Sequence, residues 1–257
     1  MKRLLKFIML VVVLFVVAVG LVLAATFMGR RGIVDGQQFG SSMRVVEDGI
    51  TSLAVITIDG RQVALIDAGN DANGEAVLAA LTRRGLGPEA VSAVFLTHGN
   101  QDHIAAVHLF PKAQVMALEA EVPLVEGRAG SRGPATRLFP VRPTGITVSR
   151  ALQNGDVVTV GNTNFRVYAV PGHTAGSAAY LVNSVLFVGD SADVATDGAL
   201  QGSPWIFSDS QAENRASLRR LEQQLVADGA DVKAIVPAHS ASIEGMGALT
   251  AFVRANP

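Results

Sequence analysis

Metal-ligand side chains recur in this sequence just after short apolar runs. "VFLT" (94–97) leads into His98, Asn100, Asp102 and His103, and "VYAVPG" (167–172) leads into His173. "VLFVG" (185–189) precedes Asp190, and "AIVPA" (234–238) precedes His239. Apolar runs of this length read as buried strands. Polar residues just past the carboxyl ends of strands can meet at one point without breaking a core. A lone histidine in such a place is ordinarily a hydrogen-bonded structural residue, but four of them with two aspartates point to a metal. Imidazole with carboxylate suits zinc, one ion or two, with iron or manganese as alternatives. Asp102 and His103 fall at an expected helix start, where free backbone N–H groups favour a carboxylate. The fifth histidine, His108, is five residues beyond His103 on that helix, points roughly 140° away, and reads as structural.

The elements that must position these residues are those of a mixed α/β domain. "TSLAVITI" and "RQVALID" flank Asp59-Gly60, a hairpin signal. "GNDANG" caps a helical stretch that stops at Gly85, and "VSAVFLT" (91–97) is a buried-strand run. After a Gly/Pro/Arg-rich connection over 127–150, strands pair across Gly161-Asn162 and across Asn183-Ser184. Ser210 and Glu213 form a capping box ahead of a helix with Leu218, Leu221 and Leu225 on one face. A final strand and helix close the chain.

The first 28 residues are built for another solvent. Lys2, Arg3 and Lys6 precede "FIMLVVVLFVVAVGLVLAATFM" (7–28), long enough as a helix to span a bilayer. An uncleaved anchor is the favoured expectation, although "VLAA" leaves a cleaved signal open. The excess of basic residues before the span puts the domain on the extracytoplasmic side, or in the secreted fraction if the segment is removed. Residues 29–42, rich in glycine and polar groups, read as a tether, and 43–257 as the domain. The chain has no cysteine, which excludes a disulfide framework and thiolate ligands. With Lys2, Arg3 and Lys6 set aside, the net charge falls from −1 to −4, the wrong sign for a nucleic-acid partner. A small molecule is the expected substrate.

"THGNQDH", "PGHTAGS", "VGD" and "PAH", with "LIDAG" upstream, resemble the metallo-β-lactamase superfamily in order and spacing. The resemblance covers everything after the tether. It implies an α+β fold, a four-layer αβ/βα sandwich with a metal site at one edge between the sheets. It further implies that His98 and His173 hold a first metal and that Asp102, His103 and His239 hold a second. Asp190 would bridge them, Asp102 would double as the candidate catalytic carboxylate, and Asp67 would steady the ligand loop from behind. The departure is Asn100, standing where the family's H-x-H-x-D-H motif has its middle histidine. A neutral amide is a poorer zinc ligand, so the first site is expected to be impaired. One divalent metal with two carboxylates is formally neutral, whereas two metals carry +2 and acidify water more strongly.

The activity implied is hydrolysis of an ester, thioester or lactone. The alternative is an inactive metal- or ligand-binding member of the fold, with a mononuclear iron dioxygenase or a β-lactamase less favoured. The 48 residues between Asp190 and His239 leave little room for a nuclease insertion, and 18 residues after His239 are fewer than the helical extension hydroxyacylglutathione hydrolases use. Asp190 stands where authentic β-lactamases have cysteine or serine. A competing reading, Ser191 in "GDSAD" as nucleophile with His239 as base, lacks the second glycine of a nucleophile elbow and leaves Asp102, His103 and His173 unexplained. Arg128, Arg132, Arg137, Arg142 and Arg150 either attract an anionic substrate or form a solvated loop. Trp205 and Phe207 either line the pocket mouth or cover the core.

Overall fold

The computed structural model describes residues 2–256. Helix α1 (Lys2–Phe27) projects from the domain with its apolar side chains over 4–22 exposed. Strands β1 (Gln38–Phe39), β2 (Met43–Asp48), β3 (Thr51–Asp59), β4 (Gln62–Ile66), β5 (Val91–Phe95), β6 (Gln114–Leu118) and β7 (Arg150–Leu152) form one sheet in chain order. Its first half is antiparallel, and the pairs from β4 to β7 are parallel. Strands β8 (Val157–Val160), β9 (Thr163–Ala169), β10 (Ala178–Val182) and β11 (Val185–Gly189) belong to a second sheet. A short hairpin of β12 (Ala192–Val194) and β13 (Leu200–Gly202) follows. The second sheet is completed by β14 (Ala234–Pro237) and β15 (Ile243–Glu244), in the order β15-β14-β11-β10-β9-β8.

Alternation along the strands sends side chains to two faces, and here both faces are buried. From β3, Ala54 and Ile56 join Phe165, Val167 and Tyr180 of the second sheet in the central layer. Leu53 and Val55 face the other way, with Val77 and Leu81 of α2 (Glu75–Thr82) and the segment around Ile104 and Val107. On the outside of the second sheet, Leu218, Leu221 and Leu225 of α5 (Gln211–Ala227) and Leu249 of α6 (Gly247–Ala255) cover Tyr168 and Leu186. Two short helices, α3 (Gln101–Ile104) and α4 (Val122–Val125), complete the set. This is the αβ/βα sandwich expected. Ser210 accepts from the Glu213 N–H as the capping box requires, and Asn183 and Ser184 turn the β10–β11 hairpin at φ 45° and 69°.

Three expectations need correction. Strand β5 stops at Phe95, because Thr97 is drawn off the ladder by Asp67. The expected helix after His98 is a single turn, and His108 lies beyond it in a 3-10 turn, its Nδ1 on the Ala105 carbonyl. Residues 29–42 do not hang free. Arg31 N–H donates to Val194 O and Gly36 N–H to Val45 O, and β1 pairs with β2. Backbone hydrogen bonding overrode a composition typical of a flexible linker.

The two sheets are joined beneath the ligand loops by aromatic packing. Phe95 stacks on Phe165 with centroids 4.1 Å apart, and the buried Tyr180 hydroxyl donates to Leu96 O at 2.7 Å. Phe165→Ala is expected to cost about 3–5 kcal/mol of stability, measured as a lowered urea midpoint. A loss under about 1 kcal/mol would mean the stack is not structural.

Candidate metal centre

Asp67 follows β4 with φ 60°, a left-handed conformation that costs a non-glycine residue about 1–2 kcal/mol. It is held there by three bonds. Thr97 donates its N–H to Oδ1 and its hydroxyl to Oδ2, both at 2.7 Å, and His103 Nδ1 lies 2.9 Å from Oδ2. The loop 97–103 is therefore folded back on the end of β4. Gly189, at φ 53° just before Asp190, lets that segment approach closely, since a Cβ there would sit 2.6 Å from the Thr97 hydroxyl.

All four predicted histidines have their outer nitrogen spoken for. His103 Nδ1 faces Asp67. The Thr97 hydroxyl, already donating to Asp67, accepts from His98 Nδ1 at 3.1 Å. Ser208, whose hydroxyl donates to Pro204 O, accepts from His173 Nδ1 at 3.2 Å. His239 Nδ1 donates to Ile50 O at 2.6 Å. Each ring thereby has Nδ1 held by a partner outside the cluster and Nε2 turned inward.

The inward atoms gather in two groups that could hold a metal ion: His98, His173 and Asp190, and Asp102, His103 and His239. His98 Nε2 and His173 Nε2 are 3.2 Å apart. Asp190 stands between the groups, Oδ1 lying 3.1 Å from His103 Nε2 and Oδ2 lying 3.1 Å from His239 Nε2 and 3.5 Å from His173 Nε2. Asp102 Oδ2 is 3.3 Å from His239 Nε2. These donors suit a cation. Two buried imidazole lone pairs confront one another, and the buried His103 Nε2 and Asp190 Oδ1, although close, lack hydrogen-bond geometry with each other or with any other described group.

The field of the two carboxylates tells the same story. Burial lowers the His103 pKa, but Asp190, Asp102 and Asp67 outweigh it and hold the ring well above its ordinary value. Burial likewise works against His239, and Asp190 with Asp102 raises it to about 10. Away from Asp102, burial wins: His98 lies well below its ordinary value, with His103 adding to the effect, and His173 is also lowered. Asp190 is pushed up by burial but pulled far below the carboxylate range by His239, His103 and His173. Asp102 is lowered too, His103 and His239 overcoming its burial.

Asn100 does not present an oxygen to the first group. Its Nδ2 lies 3.0 Å from His173 Nε2, and its Oδ1 accepts from the Ser131 hydroxyl at 2.9 Å. Because a hydroxyl both donates and accepts, rotating the amide by about 180° would leave Ser131 satisfied and aim the oxygen inward. The competing Ser191 is buried, and its hydroxyl donates to Val170 O rather than facing His239.

Sequence reasoning missed Glu121. It is buried and accepts from Gly99 N–H at 2.8 Å, Gly176 N–H at 2.8 Å and the Thr174 hydroxyl at 2.9 Å, clamping the loops of His98 and His173 together. Burial raises its carboxyl to about 7 against those three donors. The sequence offered no clear signal, because Glu121 stands between Glu119 and Glu126 in the stretch after β6. Of the arginines, Arg128 pairs with Glu126 and Arg132 with Asp209, while Arg142 lines the cavity above the metal-ligand groups. Phe207 lines that cavity, and Trp205 is exposed beside it, so neither covers the core.

Residues 46–239 match the sequence family described as the metallo-beta-lactamase superfamily. The chain is similar to the hydroxyacylglutathione hydrolase of Vibrio cholerae, 31% identical over 134 residues covering 51% of this chain and 42% of that protein. It is similar also to the hydroxyacylglutathione hydrolase of Xanthomonas axonopodis pv. citri, 33% identical over 138 residues covering 54% and 44%. The chain thus aligns with about half the length of the curated relatives it matches. A solved B3 metallo-beta-lactamase with an active-site glutamic acid superposes with a TM-score of 0.63 at 18% identity, over 90% of this chain and 89% of that one. That likeness is one of fold.

The pKa directions set a pH dependence for the metal-free protein. His239 binds its proton more tightly folded than unfolded, so its stabilisation is full below its ordinary 6.5 and is lost as pH rises toward about 10. Asp102 and Asp190 act oppositely, stabilising above their ordinary 3.8 and ceasing to do so as pH falls below it. In excess chelator, urea midpoints are therefore expected to fall steadily from about pH 6.5 to 10. A midpoint that climbs over that interval would contradict the assignment.

Proposed function

This chain belongs to the metallo-beta-lactamase superfamily, and from that premise we propose that it is a metal-dependent hydrolase of ester, thioester or lactone bonds. In this reading residues 1–28 anchor it in a membrane with the domain outside the cytoplasm, and 43–257 form the hydrolase domain. The observation that carries the proposal is that four imidazoles, each tied at Nδ1, turn Nε2 onto two carboxylates at the floor of one cavity of about 440 Å³.

Asp102, His103 and His239 with Asp190 would hold a zinc ion, and His98 and His173 with Asp190 a second. A divalent cation bound there polarises a carbonyl and lowers the pKa of water. The chain's own groups do the rest. Asp102 lines the cavity and is partly exposed, so its carboxylate can take the proton released by the attacking water. The Asn100 amide, held by Ser131, also lines the cavity, and its second Nδ2 hydrogen can donate to a substrate oxygen. The relatives' name denotes hydrolysis of an acyl-glutathione thioester, which favours the thioester arm of the proposal.

The first group is expected to bind weakly, because the Asn100 amide N–H engages the His173 nitrogen that would ligate. After zinc loading and dialysis, elemental analysis of the full chain should find the second group filled and the first mostly lost, with Asn100→His retaining more zinc. Asp67→Ala should weaken zinc binding about 10- to 100-fold. Two tightly held equivalents in the unmodified chain would overturn the weak first site. Thioester hydrolysis that survived complete metal removal but disappeared in Ser191→Ala would overturn the metal reading altogether.

A further inference from the structure

The cavity above the candidate metal-ligand groups is walled by the end of the long apolar helix, since Phe27, the last residue of α1, is one of its lining side chains. From Phe7 to Phe27 the apolar part of α1, broken only by Gly20 and Thr26, rises about 32 Å, close to the roughly 30 Å of a bilayer's hydrocarbon. With Lys6 at one surface of the bilayer, Phe27 falls at the other. No slack follows it. The Phe27 ring lies 6.0 Å from that of Phe207, and the Arg30 guanidinium lies 5.0 Å from the Phe27 centroid. Arg30 Nη2 is 3.0 Å from the buried Asp193, and the Arg31 carbonyl accepts from Ala241 N–H at 3.0 Å. The cavity mouth is thus fixed at the depth where the helix leaves the lipid.

The rim has the composition for that depth. Phe27, Ile50, Phe139 and Val141 line the cavity and are 46–66% exposed, and Leu138 and Trp205 adjoin it at 77% and 60%. Scattered exposed apolar residues are ordinary, but a ring of them around one mouth marks an interaction surface. Arg137 and Arg142 flank it, exposed and able to reach lipid phosphates while their stems stay with the apolar rim. Tryptophan is itself favoured at the headgroup level.

We infer that the cavity opens directly onto the bilayer and takes the acyl chain of a membrane-resident amphiphilic ester or thioester, the chain packing among Phe27, Phe139, Val141 and Phe207. This deepens the proposed function and rests on its anchor and hydrolase readings.

The test uses the full chain reconstituted into phosphatidylcholine vesicles. Trp205 is the sole tryptophan, so quenching by phosphatidylcholine brominated near the top of its acyl chains reports on the rim alone. Quenching of about twofold is expected, and a Leu138→Asp/Phe139→Asp double variant should lose it while the protein still resists alkaline extraction. Phosphatidylcholine carrying a diazirine in its acyl chain should leave photo-adducts on Phe139, Val141 or Phe207 as well as on α1. Adducts confined to α1 with an unquenched Trp205 would overturn the inference and leave the anchor standing. Extraction by alkali without adducts anywhere would remove the anchor and the inference together. Rim residues that cross-link to a second copy instead of lipid would also overturn it. Neither readout needs turnover, so a failure of the hydrolase reading shows separately, as absent zinc-dependent thioester cleavage.

Discussion

The arrangement of this site depends on one carboxylate that need not touch a metal. Asp67 sits in a left-handed backbone conformation at the end of a central strand and binds both the backbone and the hydroxyl of Thr97 and the outer nitrogen of His103. Those bonds determine where β5 ends, how sharply the chain turns toward His98, and which nitrogen of His103 faces the other imidazoles. A buried carboxylate in a core is costly unless its oxygens are satisfied, and here the ligand loop satisfies them. Site and fold are stabilised by the same contacts.

The inner groups are in the opposite condition. Asp102 and Asp190 are surrounded by imidazoles, and in their field His103 and His239 hold their protons against the effect of burial. His98 and His173, farther from Asp102, favour the neutral form. The two halves of the centre are therefore electrostatically unequal before Asn100 is considered. Asn100 enlarges the difference by engaging His173 and Ser131 rather than offering a third imidazole.

Around this floor the rest of the molecule supplies position and surroundings. Glu121 binds the two ligand loops to each other across the gap between the sheets. Phe95, Phe165 and Tyr180 hold the sheets together just below. The chain leaving α1 is stitched to β12 and to the loop after β14, so the long apolar helix also shapes the entrance to the cavity.

Much of this was legible in the residues. Alternation and buried runs located most strands, turn chemistry located the hairpin at Asn183-Ser184 and, one residue early, the one that turns at Gly60-Arg61, and Ser210 with Glu213 located the start of α5, because each is a local preference of the backbone. The gathering of the candidate ligand residues was legible for a related reason: sheet topology puts strand ends on one edge, so His98, His173, Asp190 and His239 could be expected to meet. What the sequence could not specify depended on partners distant along the chain. The role of Glu121 comes from donors 22 to 55 residues away, and the linker was ordered by strands it pairs with rather than by its own composition. The same holds for Phe27, whose place at the cavity became visible only when tertiary packing set the end of a helix against Phe207. Local propensities act within a few residues, and these contacts do not.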